Sequence, residues 1–244
     1  SVVGCGNMGG ALLAGLAASG EHTLVGCDID ADARAAVADH CTETTDDLAV
    51  AAEADYVVLA VKPDSVGDLL PALDLEADQT LISIAAGVST DYLADLTDAN
   101  IVRLMPNLNA ETRNMAAAVT GAVDDTVRAL LEEVGEYAEI PESAMDIATA
   151  LNGSGPAFVF YLIGAMADAG VDSGLDEDQA ETLAAQTFKG AAETVLQSEQ
   201  SIDELTTIEG MELLWDSDVD DEVAAAVHAA EDRSREMAAA FDDE

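Results

Sequence analysis

Ser1-Val2-Val3-Gly4-Cys5-Gly6-Asn7-Met8-Gly9-Gly10 decides the fold: a short apolar run enters G-x-G-x-x-G, and Ala11-Leu12-Leu13-Ala14-Gly15-Leu16 continues at helical spacing. Strand, glycine turn and helix in that order make the phosphate-binding corner of a parallel α/β sheet. The first glycine forms the tight turn, the second lets backbone approach a pyrophosphate, and the third allows strand and helix to pack closely. The helix start then offers N–H groups that have no acceptor within the helix. By itself the motif is weak, but Thr23-Leu24-Val25-Gly26-Cys27 reads as a second strand and ends at Asp28. That is about the ~20-residue spacing at which an acidic side chain holds the adenine ribose. Gly4, Gly6, Gly9 and Asp28 are therefore candidate dinucleotide contacts.

Outward from this corner, short apolar runs alternate with amphipathic helical patterns, the sequence form of βαβ units. Strands are expected at Val2–Cys5, Thr23–Asp28, Tyr56–Val61, Gln79–Ile84 and Ile101–Met105. Two more, near Met115–Val119 and Glu136–Ile140, bracket a helix at Thr126–Val134. From Ser143 the pattern changes to Ala- and Leu-rich helical stretches, Pro156–Ala169, Asp176–Gln197, Met211–Trp215 and Asp221–Phe241. The expected architecture is α/β: a Rossmann-type parallel sheet domain over residues 1–142, then an all-helical domain over residues 143–244. Helices this apolar need a partner surface, so the second domain is expected to build a dimer.

The charge is extreme. Fifty Asp and Glu stand against eight Lys and Arg, for a formal net charge of −42, and half of the 244 residues are apolar. Self-repulsion of that size opposes a compact chain in dilute buffer, yet at ~1 M salt the Debye length falls to about 3 Å. The acids spread over nearly every expected helix and loop instead of forming one tail. This resembles the surfaces of halophilic archaeal proteins and points to a high-salt cytoplasm. The same charge argues against nucleic acid and anionic membranes as partners. No run of ~18 continuous apolar residues is present and no signal segment opens the chain, so a soluble cytoplasmic protein is expected. With no initiator Met and a short first strand, a few N-terminal residues are expected to be missing. Cys5, Cys27 and Cys41 are odd in number and show no C-x-x-C spacing, which indicates neither disulfides nor zinc and leaves buried thiols. His22, His40 and His228 lie in unrelated elements, so no metal site and no Ser-His-Asp arrangement is expected.

Four further constellations carry chemistry. Ala60-Val61-Lys62-Pro63 ends a strand at the carboxyl edge where open α/β sheets bind ligands, and Lys62 is one of only two lysines. A cation there can face a phosphate or the nicotinamide carboxamide. Ala85-Ala86-Gly87 ends the next strand with small residues, as a flat cofactor close to backbone requires. Arg103-Leu104-Met105-Pro106-Asn107 stops its strand at a proline, and the Asn107 amide can face the ribose or nicotinamide. Asn152-Gly153-Ser154-Gly155-Pro156-Ala157 feeds a proline suited to a first helical turn, which would turn free N–H groups toward a carboxylate.

These stretches, together with Ser83-Ile84-Ala85-Ala86-Gly87, Asp168-Ala169-Gly170-Val171, Ala184-Ala185-Gln186-Thr187 and Arg233-Ser234-Arg235-Glu236, occur in an order that resembles pyrroline-5-carboxylate reductase over nearly the whole chain. The resemblance implies hydride transfer from NAD(P)H to the C=N carbon of Δ1-pyrroline-5-carboxylate, giving L-proline in the last step of proline biosynthesis. It implies that Gly4, Cys5, Gly6, Asn7, Met8, Gly9, Ala60, Val61, Lys62, Pro63, Ala85, Ala86 and Gly87 hold the cofactor, with Asn107 beside them. Gly153, Ser154, Gly155 and Pro156 help form the substrate pocket, Glu199 falls where the family places an acid near the imine nitrogen, and Thr206 and Thr207 meet the substrate carboxylate. Homodimers through the helical domain, assembled in many members into larger rings, are also implied. The chain departs from the family at one loop. Where members read roughly Ser-Pro-Gly-Gly-Thr-Thr, Leu205-Thr206-Thr207-Ile208-Glu209-Gly210 keeps the threonines and lacks the Pro-Gly-Gly.

Asp28 and Asp30 disfavour a ribose 2′-phosphate by like-charge repulsion, with only Arg34 nearby to offset them, so the residues lean toward NADH. The family frequently uses NADPH. Two other functions compete: a dinucleotide-binding paralogue without the substrate clamp, and another imine or β-hydroxyacid reductase of similar architecture.

Overall fold

A computed structural model describes residues 1–206 and 211–242. Its first strand, β1 (Val2–Val3), is only two residues long because Gly4 turns the chain out of the sheet at φ +98°. α1 (Asn7–Ala17), β2 (Val25–Cys27), α2 (Ala31–Val37), β3 (Glu43–Thr45), α3 (Leu48–Ala51), β4 (Tyr56–Leu59), α4 (Val66–Leu73), β5 (Thr80–Ser83), α5 (Thr90–Ala94) and β6 (Asn100–Pro106) follow. β7 (Met115–Gly121), α6 (Asp125–Val134) and β8 (Gly135–Glu139) complete the sheet region. The strands assemble in the order β3-β2-β1-β4-β5-β6-β7-β8, parallel throughout except for the antiparallel pair β6 and β7. This is the Rossmann-like parallel sheet expected from the opening motif. β3 was not anticipated, since Glu43-Thr44-Thr45 carries no apolar run and sits at the sheet edge.

The strand residues alternate between two cores, which is the period-2 geometry of a sheet covered on both faces. Val2, Ile82 and Val102 join Leu12, Leu13 and Leu16 of α1 and Val127 and Leu131 of α6 on one face. Val3, Val57, Leu59 and Leu81 join Val66, Leu70 and Leu73 of α4 on the other. Several helices begin on short polar side-chain caps, and four of these are acidic. Asp30, Asp47, Asp124 and Asp176 each accept an N–H from the first turn that follows.

After β8 come a 3-10 turn (Glu142–Ala144), α7 (Met145–Ala148), a π-helical turn (Thr149–Ser154) and α8 (Gly155–Asp172), which together form one helical run over Glu142–Asp172. α9 (Glu177–Gln197), α10 (Ile202–Leu205), α11 (Glu212–Trp215) and α12 (Val219–Asp242) complete the chain. The polypeptide divides into two compact units, residues 1–153 with 229–244, and residues 154–228. In the second unit α8 packs on α9 through Ile163, Ala167, Ala180 and Ala184. Small residues there leave the large apolar side chains Phe160, Tyr161, Leu183 and Leu196 exposed. The run Glu142–Asp172 is long and apolar enough to cross a membrane by length and composition, a property hidden from a search for unbroken apolar residues by its scattered Gly, Ser and Asp. Cys5 and Cys27 are buried free thiols as expected, whereas Cys41 is half-buried.

Gly15 shows how packing overrides helix propensity. Alanine in a helix interior ordinarily stabilises by roughly 1 kcal/mol over glycine. A Cβ at Gly15, however, would lie 2.5 Å from the Ala110 carbonyl oxygen and 2.9 Å from Val134 Cγ1. Gly15→Ala is expected to destabilise by about 1–3 kcal/mol, the range for overpacking a tight core. Thermal unfolding checks it, and a melting temperature above that of the unmodified protein would refute this packing argument.

Candidate functional site

The strand order reverses between β1 and β4, and the chain is pressed closest together there. Gly4 donates its N–H to the Cys27 carbonyl at 2.8 Å, and Ala60 donates to the Val3 carbonyl at 2.7 Å. A Cβ on Gly4 would stand 2.4 Å from the Ala60 carbonyl oxygen, and one on Gly9 would stand 1.9 Å from the Gly4 carbonyl oxygen. Gly6 is the opposite case, with no atom within 4 Å of where its Cβ would lie. Two glycines thus weld the turn to its strand and helix, and the third faces open space. The first intrahelical bond of α1 is Gly10 N–H to the Gly6 carbonyl, and Gly6 supplies no side-chain cap. The amides of Asn7, Met8 and Gly9 therefore stand ahead of it, an electropositive helix start suited to a pyrophosphate. A cleft of about 470 Å³ opens beside the turn, lined by Cys5, Gly6, Asn7, Gly10, Asp30 and His40 among others.

Asp28 follows β2 and ties this corner together. One carboxylate oxygen accepts from the Cys5 amide at 2.7 Å and the other from the Asp30 amide at 2.9 Å. The side chain expected at the ribose is thus already fixed by two backbone donors, with lone pairs to spare for a hydroxyl. Arg34 turns its guanidinium onto the Asp28 carbonyl at 2.6 Å and lies 3.6 Å from the Asp46 carboxylate. Burial raises the Cys5 thiol to about 12, with the Asp28 charge adding to the effect, so the thiol beside the glycine turn stays protonated.

The other expected cofactor residues stand at the carboxyl ends of neighbouring strands. After β4, Lys62 is exposed and precedes a 3-10 turn opened by Pro63. After β5, Ala85 is buried and Gly87 has φ +79°. A Cβ on Gly87 would lie 3.2 Å from the Ala238 Cα, so the glycine there accommodates the backbone of α12. After β6, Asn107 is buried at 6% exposure, and its amide oxygen accepts from the Asn109 and Ala116 amides, each at 3.2 Å. That oxygen is committed to holding the strand end.

Gly153, Ser154, Gly155 and Pro156 were expected to open a helix, and here the structure corrects the reading. They lie within the continuous helical run, across its π turn and into α8. Pro156 has no N–H, and its ring crowds the carbonyl four residues earlier, so the wider π turn accommodates it. Asn152 anchors that turn by donating its side-chain N–H to the Met105 carbonyl at 2.5 Å. In the second unit, Ser154 is half-buried and Glu199 is exposed on the bend between α9 and α10. The Thr206 hydroxyl donates to the Ile202 carbonyl at 2.8 Å, closing α10. Thr207 lies outside the described residues, with Ile208, Glu209 and Gly210. Among the described residues no group of three or more His, Cys, Asp or Glu is placed to hold a metal ion.

A cluster absent from the sequence reading is Arg103, Glu142 and Thr90. Arg103, 6% exposed on β6, donates to the Glu142 carboxylate at 2.7 Å, and the same carboxylate accepts from the Thr90 amide at 2.9 Å and from the Thr90 hydroxyl. Burial pushes the Glu142 carboxyl up, but the Thr90 donors and the Arg103 guanidinium outweigh it and hold the group below the usual carboxylate range. The available signal was an arginine inside an otherwise apolar strand, in a chain with only eight Lys and Arg.

Comparison with known proteins covers both halves of the chain. A family model described as pyrroline-5-carboxylate reductase dimerisation matches residues 142–237, and one described as NADP oxidoreductase coenzyme F420-dependent matches residues 1–87. A pyrroline-5-carboxylate reductase of Methanosarcina acetivorans is 35% identical, covering 96% of each chain. The solved structure of a pyrroline-5-carboxylate reductase from Coxiella burnetii superposes with a TM-score of 0.85 at 30% identity, over 96% of each chain. That of the Plasmodium falciparum pyrroline carboxylate reductase with NADP bound gives 0.81 at 28% identity, over 97% of each.

The Glu142 contacts set a sign for pH. Its folded pKa lies below the unfolded value, so its contribution is present above the unfolded pKa and is lost as pH falls through the folded one. The stability gap between the protein and Glu142→Gln is expected to be widest near pH 7 and to narrow on acidification at constant high salt. Denaturant unfolding across pH measures it, and a gap that widens toward acid would refute the assignment.

Proposed function

We propose how the residues of this chain, which belongs to the pyrroline-5-carboxylate reductase family, share the work of that family's reaction. The chain is an NAD(P)-dependent oxidoreductase that forms L-proline from Δ1-pyrroline-5-carboxylate, the last step of proline biosynthesis. The observation that carries the cofactor half is the glycine turn wedged against Ala60 at the point of strand reversal, with Gly6 open beside it. Residues 1–142 serve as the coenzyme domain and residues 143–244 as the helical domain.

In our reading the Asn7, Met8 and Gly9 amides meet the pyrophosphate, Asp28 holds the adenine ribose, and Gly4, Ala60, Val61, Lys62, Pro63, Ala85, Ala86, Gly87 and Asn107 shape the rest of the crevice. When bound, the reduced nicotinamide supplies a hydride to the C=N carbon. A protonated cyclic imine is already electrophilic, so the remaining task of the chain is to position and exclude water. We assign Gly153, Ser154, Gly155, Pro156, Glu199, Thr206 and Thr207 to the substrate, with Ser154 in the pocket near the nicotinamide, Glu199 near the imine nitrogen and Thr207 at the carboxylate. The exposed apolar side chains of α8 and α9 are covered by a second copy of the chain, which also accounts for the apolarity of the Glu142–Asp172 run without a membrane. The acidic surface suits a cytoplasm of high salt, where screening removes the repulsion of a net charge of −42. The competing functions lose ground because relatives at 32–38% identity, matched over most of the chain, are named as pyrroline-5-carboxylate reductases.

For the coenzyme we favour NADH. Asp28, which we assign to the ribose, accepts from two backbone amides, Asp30 stands beside it, and Arg34 is engaged with the Asp28 carbonyl. Among the described residues, a 2′-phosphate there would meet two carboxylates, with Arg34 already engaged by the Asp28 carbonyl. Assay with pyrroline-5-carboxylate in molar KCl is expected to show turnover with a preference for NADH. Asp28→Ser is expected to raise kcat/KM for NADPH about tenfold, equivalent to ~1.4 kcal/mol, while lowering it for NADH. A native preference for NADPH would overturn the coenzyme assignment, and absence of turnover with either coenzyme at any salt would overturn the site.

A further inference from the structure

We propose that Glu142 is a positioning residue for the coenzyme crevice: it grips Thr90 and Arg103 and thereby fixes the backbone of the turn after β5. Thr90 is the first residue of α5 and directly follows the turn Ala85–Ser89. Glu142 accepts both its amide and its hydroxyl, so the end of the turn cannot move without breaking two bonds to one carboxylate. The same carboxylate is paired with Arg103, which lies in register with Ser83, the last residue of β5. The Arg103 Nε is buried without a partner, and its Nη1 is paired with Glu142 at 2.7 Å, so Glu142 offsets the charge of this buried guanidinium.

The middle of the turn is held from the same segment by a second route. Asp146, four residues after Glu142, accepts the hydroxyl of Ser234, a buried residue of α12. One turn further along α12, the Ala238 backbone passes so close to Gly87 that a Cβ there would stand 3.2 Å away. Residues 142–146 thus hold the turn directly at Thr90 and, through α12, at Gly87. None of these side chains needs to touch a reactant; they set the shape of the backbone that does. Arg233-Ser234-Arg235-Glu236 gains a role in this way: the serine faces the sheet unit, while the two arginines pair with Glu231, Asp232 and Glu236 on their own helix.

The inference rests on our assignment of Ala85–Gly87 to the coenzyme, and the test separates the two. Hydrogen exchange of residues 85–89 is measured with and without NADH, alongside NADH affinity by nucleotide fluorescence and melting temperature. NADH is expected to slow exchange of the turn in the unmodified protein. Thr90→Val and Glu142→Gln are expected to speed its exchange without ligand and to weaken NADH binding three- to tenfold, with kcat at saturating NADH unchanged. Thr90→Ser is expected to restore the affinity. Val127→Ala, on the buried face of α6, is expected to lower the melting temperature and leave the affinity as it was. No protection of the turn by NADH overturns the assignment and the inference with it. Protection together with unchanged affinity in both variants overturns the inference alone.

Discussion

Backbone contact between Gly4 and Ala60 is the constraint on which the sheet unit depends. Parallel strands β1 and β4 sit side by side, and the chain must leave β1 after two residues without striking the end of β4. A side chain at Gly4 would occupy the Ala60 carbonyl, and one at Gly9 would occupy the Gly4 carbonyl. With both absent, α1 starts within a few residues of β1, its first amides lie ahead of the Gly10-to-Gly6 bond, and Asp28 reaches back to the Cys5 amide. Strand order, helix placement and the electropositive phosphate corner follow from one close approach.

The sheet was legible because its signals are local. Val2, Val3, Val57, Leu59, Leu81 and Ile82 alternate between two apolar faces, and several strands stop at a chemical signal: β1 at Gly4, β2 at Asp28, β6 at Pro106 and β7 at Gly121. The glycine motif identified its own corner for the same reason. β3 escaped notice because an edge strand needs hydrogen bonds from one neighbour and no apolar face. The Ser154–Pro156 stretch misled because proline suits the first turn of a helix in most settings, and nothing in the local sequence says that a helix already precedes it. The backbone shows that the run continues through a π turn, with Asn152 anchored to the Met105 carbonyl. The latch of Arg103, Glu142 and Thr90 was invisible since its members are separated by up to 52 positions and meet only once β6 and the segment after β8 are in place.

Charge in this chain works on two scales. Fifty Asp and Glu against eight Lys and Arg leave most carboxylates with like charges as neighbours, a repulsion that weakens as salt rises. At particular sites the same group type is structural: Asp28 joins two loops, Asp124 caps α6 and accepts the Tyr56 hydroxyl, and Glu142 compensates a buried arginine. Salt screens the first set far more than the second, because short hydrogen-bonded contacts lie inside any practical Debye length.

The four aspartate caps carry this distinction into protein engineering. Asn caps a helix about as well as Asp, so capping needs the side-chain oxygen and tolerates loss of the charge. Asp30, Asp47, Asp124 and Asp176 are therefore places where the surface can be neutralised without unravelling a helix start. Asp28 and Glu142 are not, and a low-salt redesign of this chain would begin by sorting its acids along that line.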